Sequence, residues 1–320
     1  MIIRYSMPAN ASCVASYSWA VNLRPPASSV FGSLYLFLSV IAPAMNSLLI
    51  VSFIATKQST SATNKLIVCL SVADLLNGII SFPLMLCLHF GYINKENCTL
   101  MVGTIVIIAA FTYNSSYIIL LLAIERYTHM NSKQLSSRSS KVFRSPTIYV
   151  VVAAIAAFSF GQSTSYVFLE RSGRSGCIAA RVISMLTPLI GLPAVAFVYI
   201  RGYMNVRRCV AAAVNNADIP ANAYGTVNSR QNFVRRLQKI VYMLVISLLA
   251  TYGLHMIANC IDVVSFISSS NDRDHYLVVI LNLSLVVLHT HGTINCFIIL
   301  HLNQVPREWI INKIHAICHG

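Results

Sequence analysis

The feature of this sequence that most restricts its fold is the segment 98–130, CTLMVGTIVIIAAFTYNSSYIILLLAIERYTHM. Between Cys98 and Glu125 lie 26 consecutive residues without a charged side chain. As an α-helix, which rises about 1.5 Å per residue, this stretch exceeds the roughly 30 Å thickness of a bilayer's hydrocarbon core. We therefore expect a transmembrane helix with a cysteine at one membrane face and the triplet Glu125-Arg126-Tyr127 at the other.

The composition extends this expectation to the whole chain. Of 320 residues, 56% are hydrophobic and only 10% are charged, whereas a soluble domain carries about 25% charged residues. Too few polar side chains remain to cover a water-facing surface, so the composition predicts an integral membrane protein. The formal net charge of +14 is also typical of nucleic-acid-binding proteins. However, the basic residues lie between apolar segments, as membrane topology requires, and we expect no nucleic-acid partner.

Seven apolar segments are long enough to cross the membrane, which predicts an all-α fold, a seven-transmembrane helix bundle. A short segment near the C-terminus, 305–317, alternates apolar and basic faces and predicts an amphipathic helix on the membrane surface. The chain then divides into an extracellular tail (1–29), a transmembrane domain (30–302) and a cytoplasmic helix and tail (303–320). The seven predicted spans are 30–55, 65–90, 98–129, 147–169, 179–204, 236–268 and 275–302.

Lysine and arginine residues determine the predicted orientation, because cytoplasmic loops of membrane proteins are enriched in both. With the N-terminus outside, the predicted inner segments hold fifteen of these residues and the outer segments hold seven. We therefore expect a multi-pass plasma-membrane protein with an extracellular N-terminus. Asn10-Ala11-Ser12 is then a glycosylation sequon at Asn10 or a chance occurrence of this tripeptide. The longest inner loop, about 205–235, contains a polar stretch that is predicted to be flexible.

Polar residues in the first three spans share a recognisable spacing. They are Asn46, the segment LSVADL that contains Asp74, and the triplet Glu125-Arg126-Tyr127. Their spacing, in register and without a gap, resembles that of the rhodopsin-like (class A) G-protein-coupled receptors. The resemblance covers nearly the whole chain after residue 30. It implies a receptor that binds an extracellular ligand and activates a heterotrimeric G protein by helix rearrangement.

The resemblance implies a switch at the inner end of the third span. In the resting state of this family, the arginine, here Arg126, pairs with the neighbouring acid, here Glu125. On activation the sixth helix moves outward and the arginine helps to form the floor of the G-protein pocket. The alternative is that both charged residues only anchor a helix at the lipid headgroups.

The aspartate in the second span needs polar partners. Asp74 lies mid-span, where an unpaired aspartate costs about 2.5–3.5 kcal/mol on insertion scales, so we expect it to face the interior of the bundle. The family places polar groups corresponding to Asn46, Ser115 and Asn295 around this acid, and it often holds a sodium ion there. A sodium ion at Asp74 and Ser115 is therefore one interpretation, and a dry network of hydrogen bonds is the other.

Three cysteines have predicted roles. The family has a disulfide between the top of the third helix and the second outer loop, which implies a Cys98–Cys177 bond. Here Cys98 lies about one turn earlier than the family's usual position, which Met101 occupies. Cys318, beyond the C-terminal amphipathic segment, is either a palmitoylation site or an unmodified thiol.

The sequence also departs from the family pattern. The fourth span has no tryptophan, and the sixth reads TYGL at 251–254 in place of a Trp-x-Pro kink. The seventh reads NCFII at 295–299 where Asn-Pro-x-x-Tyr is usual. Since proline kinks a helix, we expect straighter sixth and seventh helices. Such loose motifs are similar to those of divergent orphan receptors of invertebrates, including nematode-type serpentine chemoreceptors.

The ligand cavity of this family lies among the outer halves of the helices. Ile108 stands where amine receptors carry an aspartate, which argues against a biogenic amine and favours a peptide or another small molecule. Tyr252, His255 and Asn259 share one face of the sixth span and are predicted to line the pocket. His289 in the seventh span is a further candidate. The alternative for these groups is interhelical hydrogen bonding without a ligand.

Two other functions compete with a receptor. A transporter predicts internal repeats and broken helices near the midplane, and the sequence shows neither. A seven-helix ligand-gated channel would place the N-terminus inside, against the basic-residue count. An enzyme is not expected, because the sequence has no metal triad, nucleophile–base pair or phosphate-binding loop. Besides a G protein and a ligand, we expect membrane lipid as a partner and no cofactor except the sodium ion at Asp74.

Overall fold

In the computed structural model, the described part of the chain is α-helical, with short turns between helices and no strand. In chain order the helices are α1 (Ala27–Ala55), α2 (Ala62–Leu76), a π-helical turn (Asn77–Ser81), α3 (Phe82–His89), α4 (Cys98–Met130), α5 (Thr147–Arg171), α6 (Ala221–Ser268), α7 (His275–His289), α8 (His291–Leu302) and α9 (Gln304–His319). The structure describes residues 23, 25–58, 61–93, 98–130, 146–171, 176, 178–180, 182, 183, 197, 200, 201, 204, 221–268 and 275–319.

Six helical stretches in the described residues are long and apolar enough to cross a membrane. They are Ala27–Ala55, Ala62–His89, Thr99–Arg126, Thr147–Leu169, Tyr242–Ser265 and Tyr276–Leu302. These stretches correspond to six of the seven predicted spans, and they support an all-helical membrane protein. The fifth predicted span, 179–204, lies mostly outside the described residues.

Local sequence explains where the first two helices begin and end. α1 follows Pro25-Pro26, and proline is favoured at a helix start because its missing N–H would be unpaired there in any case. After α1, Lys57 has a φ of 52°, the left-handed conformation that often follows a helix C-terminus. Ser61 caps α2, because its side chain accepts a hydrogen bond of 3.2 Å from the Asn64 backbone N–H.

The second span contains a π-helical turn that packs closely against α1. A Cβ atom on Gly78 would lie 2.8 Å from Cδ of Pro43, so a larger residue at this position would collide with the α1 proline. Single π-helical turns inside α-helices are frequently found at functional sites. Here the turn begins at Asn77, three residues after Asp74, so the close contact with α1 lies beside the buried acid.

Two clusters of buried apolar side chains hold the bundle together. The cluster at the end of the bundle that contains Arg126 joins α1, α2, α4, α6 and α8, and includes Leu49, Leu66, Leu122, Leu244 and Ile299. The larger cluster continues from the middle towards the opposite end and includes Tyr35, Phe82, Met101, Leu248 and Leu285. Large apolar side chains also remain exposed on the outside of the bundle, for example Phe37, Ile54, Val150 and Phe158. Such a surface suits contact with lipid rather than with water.

The interpretation of 205–235 as a flexible loop is wrong over its second half. Helix α6 begins at Ala221 and continues without interruption to Ser268, whereas the predicted span began at 236. The segment 221–235 contains no proline. Extending an existing helix avoids the cost of nucleation, so the long apolar span stabilises additional helical turns at its N-terminal end.

The sixth and seventh spans both continue as helices. α6 runs unbroken, in agreement with the absence of a proline there. Thr290 separates α7 from α8, but its φ of −66° and ψ of −14° are helical, and its backbone N–H donates to the Val286 carbonyl at 2.9 Å. The Thr290 hydroxyl donates a hydrogen bond of 2.7 Å to the Val287 carbonyl. Threonine bonds of this kind compete with the helical hydrogen-bond pattern and often bend helices.

The C-terminal segment forms α9, which covers the predicted amphipathic region 305–317. Ile310 is buried against the bundle, whereas Ile311, Ile314 and Ile317 are 54%, 54% and 81% exposed. The helix follows the last span after Asn303 alone. A helix with exposed isoleucines at this position suits the membrane surface.

Candidate functional site

Asp74 is the centre of a buried polar cluster. It lies in the middle of the second span and is 3% exposed. Ser115 Oγ of α4 donates a hydrogen bond of 2.6 Å to Oδ1, and Asn295 Nδ2 of α8 donates one of 3.3 Å to Oδ2. The carboxylate is therefore enclosed by three helices, which avoids the cost of exposing it to lipid.

A glycine allows α8 to approach this carboxylate. A Cβ atom on Gly292 would lie 2.9 Å from Cγ and 3.0 Å from Oδ1 of Asp74. Only a residue without a side chain therefore fits opposite the acid. Sequence reasoning missed Gly292, because a glycine inside an apolar span does not by itself identify its neighbour.

Asn46 has a different environment from the one expected. Its side chain is buried at 1% exposure, and Nδ2 donates a hydrogen bond of 2.9 Å to the Ala42 carbonyl in α1. In the described residues, the hydrogen bonds to the Asp74 carboxylate come from Ser115 and Asn295 and not from Asn46.

The oxygen atoms of this cluster fit a small hard cation. Asn295 Oδ1 is buried and has no hydrogen-bond partner in the described part of the chain. The Asp74 carboxylate supplies the negative charge. Ser115 Oγ, which donates a hydrogen bond to this carboxylate, is a further oxygen of the cluster. Hard cations bind oxygen ligands of these types. By contrast, the described residues contain no group of three His, Cys, Asp or Glu side chains that would hold a metal ion.

The second polar cluster lies at the end of α4. Arg126 Nε is 3.3 Å from Glu125 Oε2, and both side chains are buried. Thr63 Oγ1, in the first turn of α2, donates a hydrogen bond of 2.8 Å to the same oxygen. Thr63 was not identified from the sequence. It joins the acid of the triplet to a neighbouring helix, so Glu125 does more than anchor α4 at a surface.

A third cluster surrounds His289 at the end of α7. The Tyr35 hydroxyl and His289 Nδ1 are 2.9 Å apart, and Thr112 Oγ1 lies 3.4 Å from His289 Nε2. The Thr112 hydroxyl also donates a hydrogen bond of 2.8 Å to the carbonyl of Ile108, which is itself buried. His289 therefore connects α1, α4 and α7.

The polar face of α6 contacts neighbouring helices. The Tyr252 hydroxyl donates a hydrogen bond of 2.9 Å to the Thr112 carbonyl and also contacts the Ser116 hydroxyl. His255 Nδ1 and Ser284 Oγ of α7 are 3.1 Å apart. These contacts are of the interhelical kind that was the alternative to a ligand pocket.

Two further side chains of the α6 region complete this picture. Asn259 Nδ2 donates a hydrogen bond of 2.8 Å to the His255 carbonyl, within α6 itself. His291 of α8 has Nδ1 3.3 Å from Ser247 Oγ and its ring edge against Tyr252. α6 is thus held to α8 one residue away from Gly292.

Some predicted sites lie outside the described residues. The structure describes neither side chain of the Cys98–Cys177 pair, nor the sequon at Asn10. The side chains of Tyr127 and Cys318 are also outside the described part of the chain.

Comparison of the chain with protein-family models and with curated proteins finds no match. Functional inference therefore depends on the residues and contacts above.

Proposed function

We propose that this chain is a G-protein-coupled receptor of the plasma membrane, with an extracellular N-terminus, which binds an extracellular ligand and activates a heterotrimeric G protein. The observation that carries the proposal is the Glu125–Arg126 pair, buried at 3% and 8% exposure and bonded to a second helix through Thr63. A bundle that only anchored charged residues at a lipid surface would leave them exposed to the headgroups.

The buried pair supports a two-state mechanism. In the state described here, Glu125 accepts from Thr63 and neutralises Arg126, so the arginine is held within the bundle. α6 packs against α4 and α8, and its outward movement would open this end of the bundle. An extracellular ligand would favour the open state, and a G protein binding at Arg126 would stabilise it further. This is a shift of population between two conformations.

The Asp74 cluster supports a second element of the same mechanism. Its ligands come from the second span, α4 and α8, so an ion bound there would hold these helices in one arrangement. We assign this role to a sodium ion, with Asp74, Ser115 and Asn295 as the residues that would hold it. The ion would stabilise the resting state, because any rearrangement of α8 moves Asn295 away from the carboxylate.

A transporter is the second candidate, and one observation favours it. The π-helical turn (Asn77–Ser81) lies close to Asp74, near the middle of its span. Interrupted helices around a midplane site are typical of transporters. Measurement of sodium-driven solute uptake into proteoliposomes separates this candidate from a receptor.

The test of the receptor uses basal nucleotide exchange, because the ligand is unidentified. Membranes containing the full chain are mixed with purified heterotrimers of each main G-protein class, and the rate of GTP-analogue binding is measured. We expect Glu125→Gln to raise the basal rate about fivefold, the factor that corresponds to roughly 1 kcal/mol. Arg126→Ala should lower the rate to that of membranes without receptor.

A matched variant controls for the loss of a positive charge. Lys313 is exposed on α9, so Lys313→Ala removes one basic side chain without altering the buried pair. We expect it to exchange nucleotide at the wild-type rate. The receptor proposal fails if Glu125→Gln, Arg126→Ala and the wild type give the same rate with every heterotrimer.

A further inference from the structure

We propose that His89 recognises the receptor's ligand, and that this ligand is a small uncharged molecule with an apolar body and a hydroxyl or carbonyl group. The inference rests on the proposed function and adds the chemical class of the ligand.

The first observation is the state of the His89 side chain. His89 is the last residue of α3 and is 5% exposed. Neither Nδ1 nor Nε2 has a hydrogen-bond partner among the residues that the structure describes. Buried polar side-chain atoms nearly always have a partner, and each exception in a native structure calls for an explanation.

The neighbouring histidines show that this state is unusual. His289 has polar groups at both ring nitrogens, contributed by Tyr35 and Thr112. His291 is bonded through one nitrogen to Ser247. Among the buried histidines in the described part of the chain, both nitrogens lack a protein partner only at His89. The rings of His289 and His291 are thus bonded within the protein, whereas His89 retains a donor and an acceptor for another molecule.

Aromatic residues of α1 form the walls beside His89. The Tyr35 ring stacks on the imidazole at a centroid distance of 5.3 Å, and the Phe31 ring stacks at 5.9 Å. Gly32, which lies between Phe31 and Tyr35 in the α1 sequence, allows the Phe90 ring to pack against α1. A Cβ atom on Gly32 would lie 2.8 Å from Cζ of Phe90. Ligand sites typically combine such apolar walls with a few polar groups that fix orientation.

His89 lies near one face of the bundle. It lies at the opposite end of the second span from Thr63, and so far from the Glu125–Arg126 pair. The residues that follow it, Phe90 and Tyr92, are 47% and 78% exposed.

The charge of the surroundings selects the ligand class. Among the described residues, those in ring contact with His89 are uncharged, and this favours an uncharged ligand over an ion, which would lose its hydration there. A hydroxyl group both donates and accepts, and a carbonyl group accepts from the imidazole N–H. The aromatic rings of Tyr35 and Phe31 beside His89 favour a ligand with an apolar body. The absence of an acid at Ile108 agrees with an uncharged ligand.

The test uses four small probes of similar shape. Benzyl alcohol carries the proposed hydroxyl group, benzylamine is a cation, benzoate is an anion, and ethylbenzene has no polar group. The midpoint of thermal unfolding of the full chain in detergent is measured at increasing probe concentration. We expect benzyl alcohol to raise the midpoint more than the other three. If benzyl alcohol raises the midpoint of the wild type no more than ethylbenzene does, the inference is overturned before any variant is made.

Substitutions then assign the effect to His89. His89→Phe keeps the aromatic stack and removes both nitrogens, so we expect benzyl alcohol to bind about tenfold more weakly. His89→Gln keeps one donor and one acceptor and should retain binding within about threefold of the wild type. His301→Phe, at an exposed position in the last turn of α8, is the matched control and should bind normally.

The outcomes separate this inference from the proposed function. The unfolding assay contains no G protein. If benzyl alcohol raises the midpoint only when His89 is present, but no variant changes nucleotide exchange, only the proposed activation of a G protein is overturned. Normal exchange with equal benzyl alcohol binding in wild type and His89→Phe would overturn only the ligand assignment.

Discussion

Thr63 Oγ1 and Arg126 Nε lie against the same oxygen, Oε2 of Glu125: the hydroxyl donates a hydrogen bond of 2.8 Å to it, and the guanidinium nitrogen forms an ion pair with it at 3.3 Å. Thr63 lies in the first turn of α2, and Glu125 and Arg126 lie near the end of α4. A neutral donor and a cation from two helices therefore meet on one buried carboxylate oxygen. Any movement that separates α2 from α4 must first break the threonine bond, because the arginine moves with the acid on its own helix.

Removing the Thr63 hydroxyl should destabilise the bundle. Thr63→Val keeps the shape of the side chain but leaves Glu125 without its donor from α2. We expect the free energy of unfolding, measured by titration with SDS, to fall by about 1.5 kcal/mol. Thr56→Val is the control, since that hydroxyl bonds only to the Ser52 carbonyl of the preceding helical turn. Equal losses in the two variants would show that the interhelical bond contributes nothing of its own.

The close approach of α8 to Asp74 predicts the effect of a single methyl group. Gly292→Ala would place Cβ 2.9 Å from Cγ of Asp74, and the two helices must separate to admit it. We expect the free energy of unfolding to fall by about 1–3 kcal/mol, the usual cost of overpacking. Gly161→Ala in α5 meets open space. It should leave stability unchanged or raise it by up to about 1 kcal/mol, as alanine has the higher helix propensity.

Sodium dependence tests the Asp74 cluster. We expect the wild type to unfold at a higher temperature in sodium chloride than in choline chloride at equal ionic strength. An ion at ten times its Kd stabilises the folded state by about 1.4 kcal/mol. Asp74→Asn removes the negative charge and should abolish the difference between the two salts. Ser71→Ala, which removes a hydroxyl bonded within α2, should retain it. A wild type that is indifferent to the cation would exclude sodium at this site.

The general architecture could be predicted from the sequence for a simple physical reason. Long uncharged stretches have few alternatives to a membrane helix, so both ends of six spans were located to within about six residues of the apolar helical stretches observed. Asp74 could be placed inside the bundle because an unpaired acid in lipid is too costly. The start of α6 could not be located, because the polar segment 221–235 becomes helical only as an extension of the apolar helix that follows it.

The contacts at the sites were harder to predict, because they depend on how helices pack. Thr63 and Gly292 carry no signal of their own, since a threonine near a helix start and a glycine in a span occur in many contexts. Tyr252 and His255 were predicted to line a ligand pocket from their shared face. The same face is expected for interhelical bonding, and their bonds to Thr112 and Ser284 are of that kind.

The hydrogen bond between Tyr35 and His289 predicts energetic coupling between the first and last spans. The Tyr35 hydroxyl and His289 Nδ1 are 2.9 Å apart. Tyr35→Phe and His289→Phe each remove one partner and keep a ring in place. In a double-mutant cycle on the free energy of unfolding, we expect a coupling of about 0.6 kcal/mol, as found for interhelical bonds in membranes.

A second pair supplies the control for this cycle. Tyr117 of α4 donates a hydrogen bond of 2.6 Å to Gln162 of α5, and neither residue is bonded to Tyr35 or His289 in the described part of the chain. Tyr117→Phe combined with His289→Phe should therefore give additive losses, because distant pairs without shared partners do not couple. Additivity in the Tyr35 pair as well would mean that its hydrogen bond does not connect the two spans energetically. Coupling confined to the Tyr35 pair would show that α1 and α7 are stabilised as one unit at the face of the bundle where His89 lies.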